Sequence, residues 1–149
     1  MRKNKKAISA VVATVLIILI TVAAVTIIWA AIIPMINDQL NKGTVCLDAM
    51  SALTIKGEYT CYDGADLHLQ VSYGSKDVNL EGIQVLIEDG AGNVDSSNTI
   101  TADLPDPNEN KVFPITIGAA TSVAIAPVVT VGSGSETCDA SAYVEVSSC

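Results

Sequence analysis

Four cysteines, Cys46, Cys61, Cys138 and Cys149, are the residues of this chain with the most evident chemistry. Thiols in a small domain become either metal ligands or disulfides. A structural zinc site wants closely spaced Cys or His pairs. Here no two cysteines form a CxxC pair, and His68 is the only histidine. An even number of cysteines in an acidic segment with few aromatic residues points instead to two disulfides made in an oxidising compartment. Three connectivities are possible. The local one, Cys46 to Cys61 and Cys138 to Cys149, is favoured because each bond closes a short loop, and the other two stay open. In any of them the bond to Cys149 is expected to hold that end of the chain against fraying.

Other reactive patterns are thin. Nucleophilic catalysis requires a base beside a nucleophile, and one histidine with no nucleophile-elbow pattern supplies neither. His68 sits between Leu67 and Leu69 in an alternating segment, which places it on the polar face of a strand. The acidic stretches from Glu88 to Asp95 and from Asp103 to Glu109 carry oxygen ligands that calcium accepts, but neither follows an EF-hand ladder. Hairpin and loop chemistry is the favoured reading of both. No Asn-x-Ser/Thr sequon, phosphate loop or dinucleotide fingerprint is present. No enzyme activity, metal or cofactor is expected.

What must position these residues is a chain of two unlike parts. From Ala7 to Asn37 no charged residue occurs, and nearly every side chain is Ala, Val, Ile, Leu or Thr. About 20 such residues suffice for a helix to cross a bilayer. Secretory signals have shorter apolar regions, followed by a small-residue cleavage site. The many β-branched residues would favour a strand in water, but in lipid only a helix satisfies its own backbone within one segment. Thr14, Thr21 and Thr26 are tolerable there through hydroxyl bonds to carbonyls one turn earlier. Trp29 suits an interface, Pro34 is expected to kink or weaken the outer end, and Gly43 reads as a C-cap. The helix is expected from about Ile8 to Asn41.

Charge divides the same way. Arg2, Lys3, Lys5 and Lys6 precede the apolar block, while the remaining four basic and all sixteen acidic residues follow it, leaving that part at −12. The basic tip predicts a cytoplasmic N-terminus and an outward-facing remainder. The acidic remainder argues against nucleic acid, whose phosphates it repels, and against anionic lipid surfaces.

The run Lys5-Lys6-Ala7-Ile8-Ser9-Ala10-Val11-Val12-Ala13-Thr14-Val15-Leu16 resembles the start of archaeal type IV pilin precursors. The resemblance is specific over about 30 residues and weaker beyond. It implies a leader, residues 1–7, cut by a prepilin peptidase between Ala7 and Ile8, with Lys5 and Lys6 as its basic flank. The helix, residues 8–42, would then be lifted from lipid into a filament by an assembly ATPase and platform protein. Val11, Val12, Val15, Leu16, Leu19, Ala23, Ile27, Trp29 and Pro34 are the helix positions that would serve membrane anchoring and assembly. Small residues such as Ala13, Ala23, Ala24, Ala30 and Ala31 permit close helix packing, or simply fit lipid. Many bacterial pilins carry Glu at the fifth mature position, where this chain has Val12. That departure narrows the likeness to archaeal pilins and leaves subunit registration without an obvious device, while the Ile8-Ser9-Ala10-Val11 start resembles adhesion-type pilins more than archaellins.

After Gly43 the apolar positions alternate: Val45, Leu47, Leu53 and Ile55; Leu67, Leu69, Val71 and Tyr73; Ile83, Val85 and Ile87; Val112, Ile115 and Ile117; Val123, Ile125, Val129 and Val131; and the stretch from Tyr143 to Ser147. Six or seven short strands with turn signals between them predict an immunoglobulin-like sandwich over 44–149, so that the whole is α+β. Pro114 and Pro127, which cannot donate to a ladder, are expected at edges or bulges.

The expected function is structural: a surface-filament subunit serving adhesion, a single-pass membrane protein before assembly and extracellular afterwards, its partners being the membrane and further copies of itself. The alternatives are a membrane-tethered binding module, or a minor pilin-like component of a secretion system, that forms no filament alone. A surface enzyme is the third and least supported.

Overall fold

The computed structural model describes residues 5–149, with side chains from Ala10 onward. It is α+β: one long helix, α1 (Lys5–Ala52), precedes a β-rich domain with two disulfides. Two compact units are distinguished, one ending at Leu40 and the other running Asn41–Cys149.

The helix does not stop near Asn41. It passes Gly43 and continues to Ala52, so Gly43 is an interior residue and no C-cap, and Val45 and Leu47 are helical rather than the start of a strand. The physical reason is that Val45, Ala49 and Ala52, like Cys46, Met50 and Leu53, also fit a period of 3.6. That stripe packs against the β domain, with Ala49 and Ala52 buried, while Leu47 is 69% exposed. A strand would have put Val45 and Leu47 on one face. The amide of Gly74 donates to the Ala52 carbonyl at 2.8 Å, satisfying a helix-end acceptor that a capping glycine would otherwise have served. The helical assignment also runs unbroken through Pro34, which removes one intrahelical donor.

Ten strands follow: β1 (Leu53–Ile55), β2 (Cys61–Tyr62), β3 (Asp66–Tyr73), β4 (Leu80–Glu88), β5 (Val94–Ile100), β6 (Asn110–Thr116), β7 (Ser122–Val131), β8 (Gly134–Thr137), β9 (Val144–Glu145) and β10 (Ser147–Ser148). In the first sheet β3 is central, with β6 along one edge and β1 and β2 sharing the other, and β10 lies parallel to β2. The second sheet runs β5-β4-β7, with β8 and β9 sharing the far edge of β7. With two-residue β2 left out of the count, pairing of the second strand (β3) with the fifth (β6), and of the third (β4) with the sixth (β7), is the order of an immunoglobulin-like sandwich. Leu67, Leu69 and Val71 of β3 face Ile83 and Val85 of β4 and Val123, Ile125 and Val129 of β7 in one core. Buried Tyr73 closes one end, its hydroxyl accepting from the Val78 amide and donating to the Val78 carbonyl.

Strand β5 carries no alternation. Its sequence, Val-Asp-Ser-Ser-Asn-Thr-Ile, is mostly exposed, because an edge strand owes its pairing to β4 rather than to burial of its side chains. Ser96 and Ser97 together oppose the single Leu86, a bulge at which the Ser97 amide donates to the Asp95 carboxylate instead of outward. Such a bulge blunts an open edge. Pro114 does lie on an edge strand, β6. Pro127 does not: it sits in β7, between β4 and the β8/β9 row. It is tolerated because, by parity with Ile125, its nitrogen points to the gap between β8 and β9, where only its carbonyl is used, accepting from the Cys138 amide at 2.8 Å.

The last segment crosses from one sheet to the other. β9 pairs with β7, Val146 packs against the core, and β10 pairs with β2. The crossing passes so close to residue 57 that a Cβ there would lie 2.9 Å from Val144 Cγ1, which explains a glycine at that place.

Two stability outcomes follow from these placements. Gly43→Ala, with nothing within 4 Å of the added methyl, raises unfolding free energy by about 0.5–1 kcal/mol in a urea titration. Leu69→Ala, at a fully buried position, lowers it by about 2–5 kcal/mol.

Candidate functional site

Two features set this chain apart from an ordinary sandwich: an apolar helix with no cover, and the way its last turns are fastened. The segment Ala10–Ala52 contains a stretch long and apolar enough to cross a membrane, and none of that stretch is buried within the chain. Val11, Val12, Val15, Leu16, Leu19, Ile27 and Trp29 are all between 50% and 69% exposed. Ala23 and Pro34 are exposed as well. A helix that is apolar all round belongs in lipid or among other apolar helices. The Thr14, Thr21 and Thr26 hydroxyls donate to the carbonyls of Val11, Ile18 and Ala23, each at 2.9 Å, so none of these three hydroxyls needs an acceptor outside the helix. The basic tip and the junction residues Lys5, Lys6, Ala7 and Ile8 lie outside the residues whose side chains are described.

The disulfides are Cys46–Cys138 and Cys61–Cys149. The local pairing expected from sequence is therefore wrong. Cys46 lies on the buried side of α1, and between it and Cys61 the chain finishes the helix, forms β1 and turns, which separates the two. Cys138 is brought to the helix by the pairing of β8 with β7. Cys149 is brought to Cys61 by β10, whose register sets Ser147 beside Cys61 and Ser148 beside Tyr62. Each bond closes a loop of about 90 residues (separations 92 and 88). In the chain-entropy account a loop of that size contributes about 4–5 kcal/mol, against about 3 for the short loops of the local pairing.

Two exposed ion pairs flank the Cys46 bond: Lys42 Nζ to Glu136 Oε2 at 2.8 Å, and Lys76 Nζ to Asp48 Oδ1 at 2.6 Å. At this exposure each contributes roughly 0–1 kcal/mol. They orient the helix end, and the covalent bond holds it.

The acidic loops are used internally. Asp89 Oδ1 accepts from the Ala91 and Asn93 amides, and Oδ2 accepts from the Asn93 side chain, which closes the β4–β5 hairpin. These bonds hold the Asp89 carboxyl below its ordinary range, the Asn93 side chain first among them. In the other loop Asp103 pairs with Lys111 at 2.6 Å, and Glu109 accepts from the Asp106 amide. Among the described residues no group of three or more His, Cys, Asp or Glu side chains is placed to hold a metal ion. His68 stands, as its parity predicts, on the more exposed face of β3, its Nε2 3.3 Å from Asp63 Oδ2. Asp63 also accepts from the Asp66 and Ala65 amides, and its pKa is lowered to about 2, chiefly by those two amides and then by the histidine.

Sequence reasoning missed the crossed bridges and strand β5. The signal that could have warned of the first is the helical spacing of Val45, Ala49 and Ala52, which moves Cys46 onto a helix. Compared with known proteins, the chain matches no family model, no curated sequence and no solved structure.

The lowered Asp63 pKa gives a testable pH dependence. Its folded-state value lies below the unfolded value, so its contribution is complete above about pH 4 and is lost as pH falls from there towards about 2. Melting temperature followed over that window should fall less steeply in Asp63→Asn than in the wild type, and equal slopes would refute the assignment.

Proposed function

We propose that this chain is the structural subunit of an archaeal type IV pilus-like surface filament, serving adhesion and assembled through its apolar helix. The observation that carries the reading is the uncovered helix, apolar on every side, joined to a sandwich closed by two disulfides. The helix supplies what both states of such a subunit need. In the bilayer it is solvated by lipid tails. In a filament the same side chains pack against helices of other copies, and the three Thr hydroxyls keep their intrahelical partners on transfer.

The basic leader supports a cytoplasmic N-terminus, and the disulfides support an oxidising exterior for the sandwich. In this reading a prepilin peptidase cuts before Ile8. The leader's charges, which fixed the orientation, are discarded, and an assembly ATPase and platform protein extract the helix. The acidic exterior of −12 keeps a crowded coat of identical domains soluble and disfavours nucleic acid as a partner.

Intact-mass spectrometry of material sheared from native cells tests the reading. A chain starting at Ile8, abundant in fibres, is the expected result, and Ile18→Asp, which places a carboxylate in the apolar run, should abolish the fibres. A processed chain retained in the membrane as monomer would instead indicate a tethered ectodomain or minor component. A chain starting beyond Trp29, free of both membranes and fibres, would overturn the proposal.

A further inference from the structure

We infer that the two disulfides form a redundant mechanical shunt, which carries tension applied between α1 and the far end of the chain past the sandwich instead of through it. The inference rests on connectivity, and it holds whether or not the chain forms filaments.

The four cysteines occur in the order 46, 61, 138, 149, and the bonds cross: the first joins the third and the second joins the fourth. Tension entering along α1 meets the exposed Lys42–Glu136 pair and then Cys46, the first covalent attachment to the outer domain. Without a bond there, it would next load the last turns of the helix, an exposed ion pair between Asp48 and Lys76, and then β1, which is three residues long. A strand that short peels from β3 one pair at a time, starting at Leu53↔Tyr73, and the core residues of β3 would be exposed behind it.

The Cys46 bond takes all of that off the direct load path. Tension passes from Cys46 across the bond to Cys138 and along the eleven residues to Cys149. A second route leaves Cys46 for Cys61 along fifteen residues and crosses to Cys149. Strands β3 to β8, which hold most of the core, lie on neither route. Fully extended, the two routes measure at most about 40 Å and about 50 Å, against about 350 Å for the chain from 46 to 149. The pairing of neighbours, Cys46 with Cys61 and Cys138 with Cys149, would leave the stretch from 61 to 138 in series, about 270 Å of it. Crossing therefore does what local closure cannot, and each bond alone suffices.

Single-molecule pulling on the full chain, with peptide handles at the N-terminus and after Cys149, tests this. Stretching of α1 is common to every arm, so the arms are compared by the extension beyond it. Oxidised wild type should release no more than about 40 Å, Cys61→Ser/Cys149→Ser the same, and Cys46→Ser/Cys138→Ser about 50 Å. Wild type reduced in place with a phosphine should gain a step that brings the total to about 350 Å, which needs no variant to fold. A step of hundreds of ångströms in oxidised wild type or in either paired variant would overturn the shunt. So would reduction that adds no extension, because the sandwich would then be resisting the load by itself.

Discussion

Burial that the chain cannot provide for itself governs this protein. Seventeen large apolar side chains between Val11 and Ile36 are at least 43% exposed. Fully burying one such side chain is favourable by about 1.5–3 kcal/mol. Even at half that value, the unmet burial comes to about 13–26 kcal/mol, at least as large as the roughly 5–15 kcal/mol by which a domain is ordinarily stable. The helix must be covered by something outside the described chain, lipid or other helices, and every functional reading has to begin there. The sandwich is the opposite case, since its large side chains in β3, β4 and β7 are enclosed and its surface is acidic and solvated.

Joining two such parts raises a problem of attachment. The last turns of α1 are too short and too alanine-rich to hold by burial alone, as Ala49 and Ala52 contribute little area. Their small size has a different use, letting the helix lie close to the sheet so that Cys46 reaches Cys138. Exposed ion pairs add orientation with modest energy. The bond supplies what area does not, which is the usual recourse of small extracellular domains with few aromatic residues. The second bond fastens a C-terminal segment whose strands are two residues each and could not hold themselves.

The sheet edges follow a similar economy. β5 is bulged at Ser96–Ser97 and β6 carries Pro114, so neither long edge offers an uninterrupted ladder to another chain. In the proposed filament, that would limit strand pairing between neighbouring domains and leave the helix as the associating face.

Much was already determined by the sequence: the apolar helix and its intrahelical Thr bonds, the β-rich domain, the alternation of β3, β4 and β7, and the side of β3 on which His68 stands. These are local properties, set by the period of side chains along one element and by whether a run is apolar throughout. What only the tertiary structure decided was non-local. The helix continues through Gly43 because a sheet lies beside Val45, Ala49 and Ala52 to bury them, and no pattern within that segment says so. Strand β5 exists because β4 pairs with it, and its own residues are neutral on the matter. Pro127 is allowed inside β7 because two short strands leave a gap opposite its nitrogen. The cysteines pair across about 90 residues because folding brings them together, and nearness along the chain is a weak guide once the fold, rather than loop entropy, sets which thiols meet.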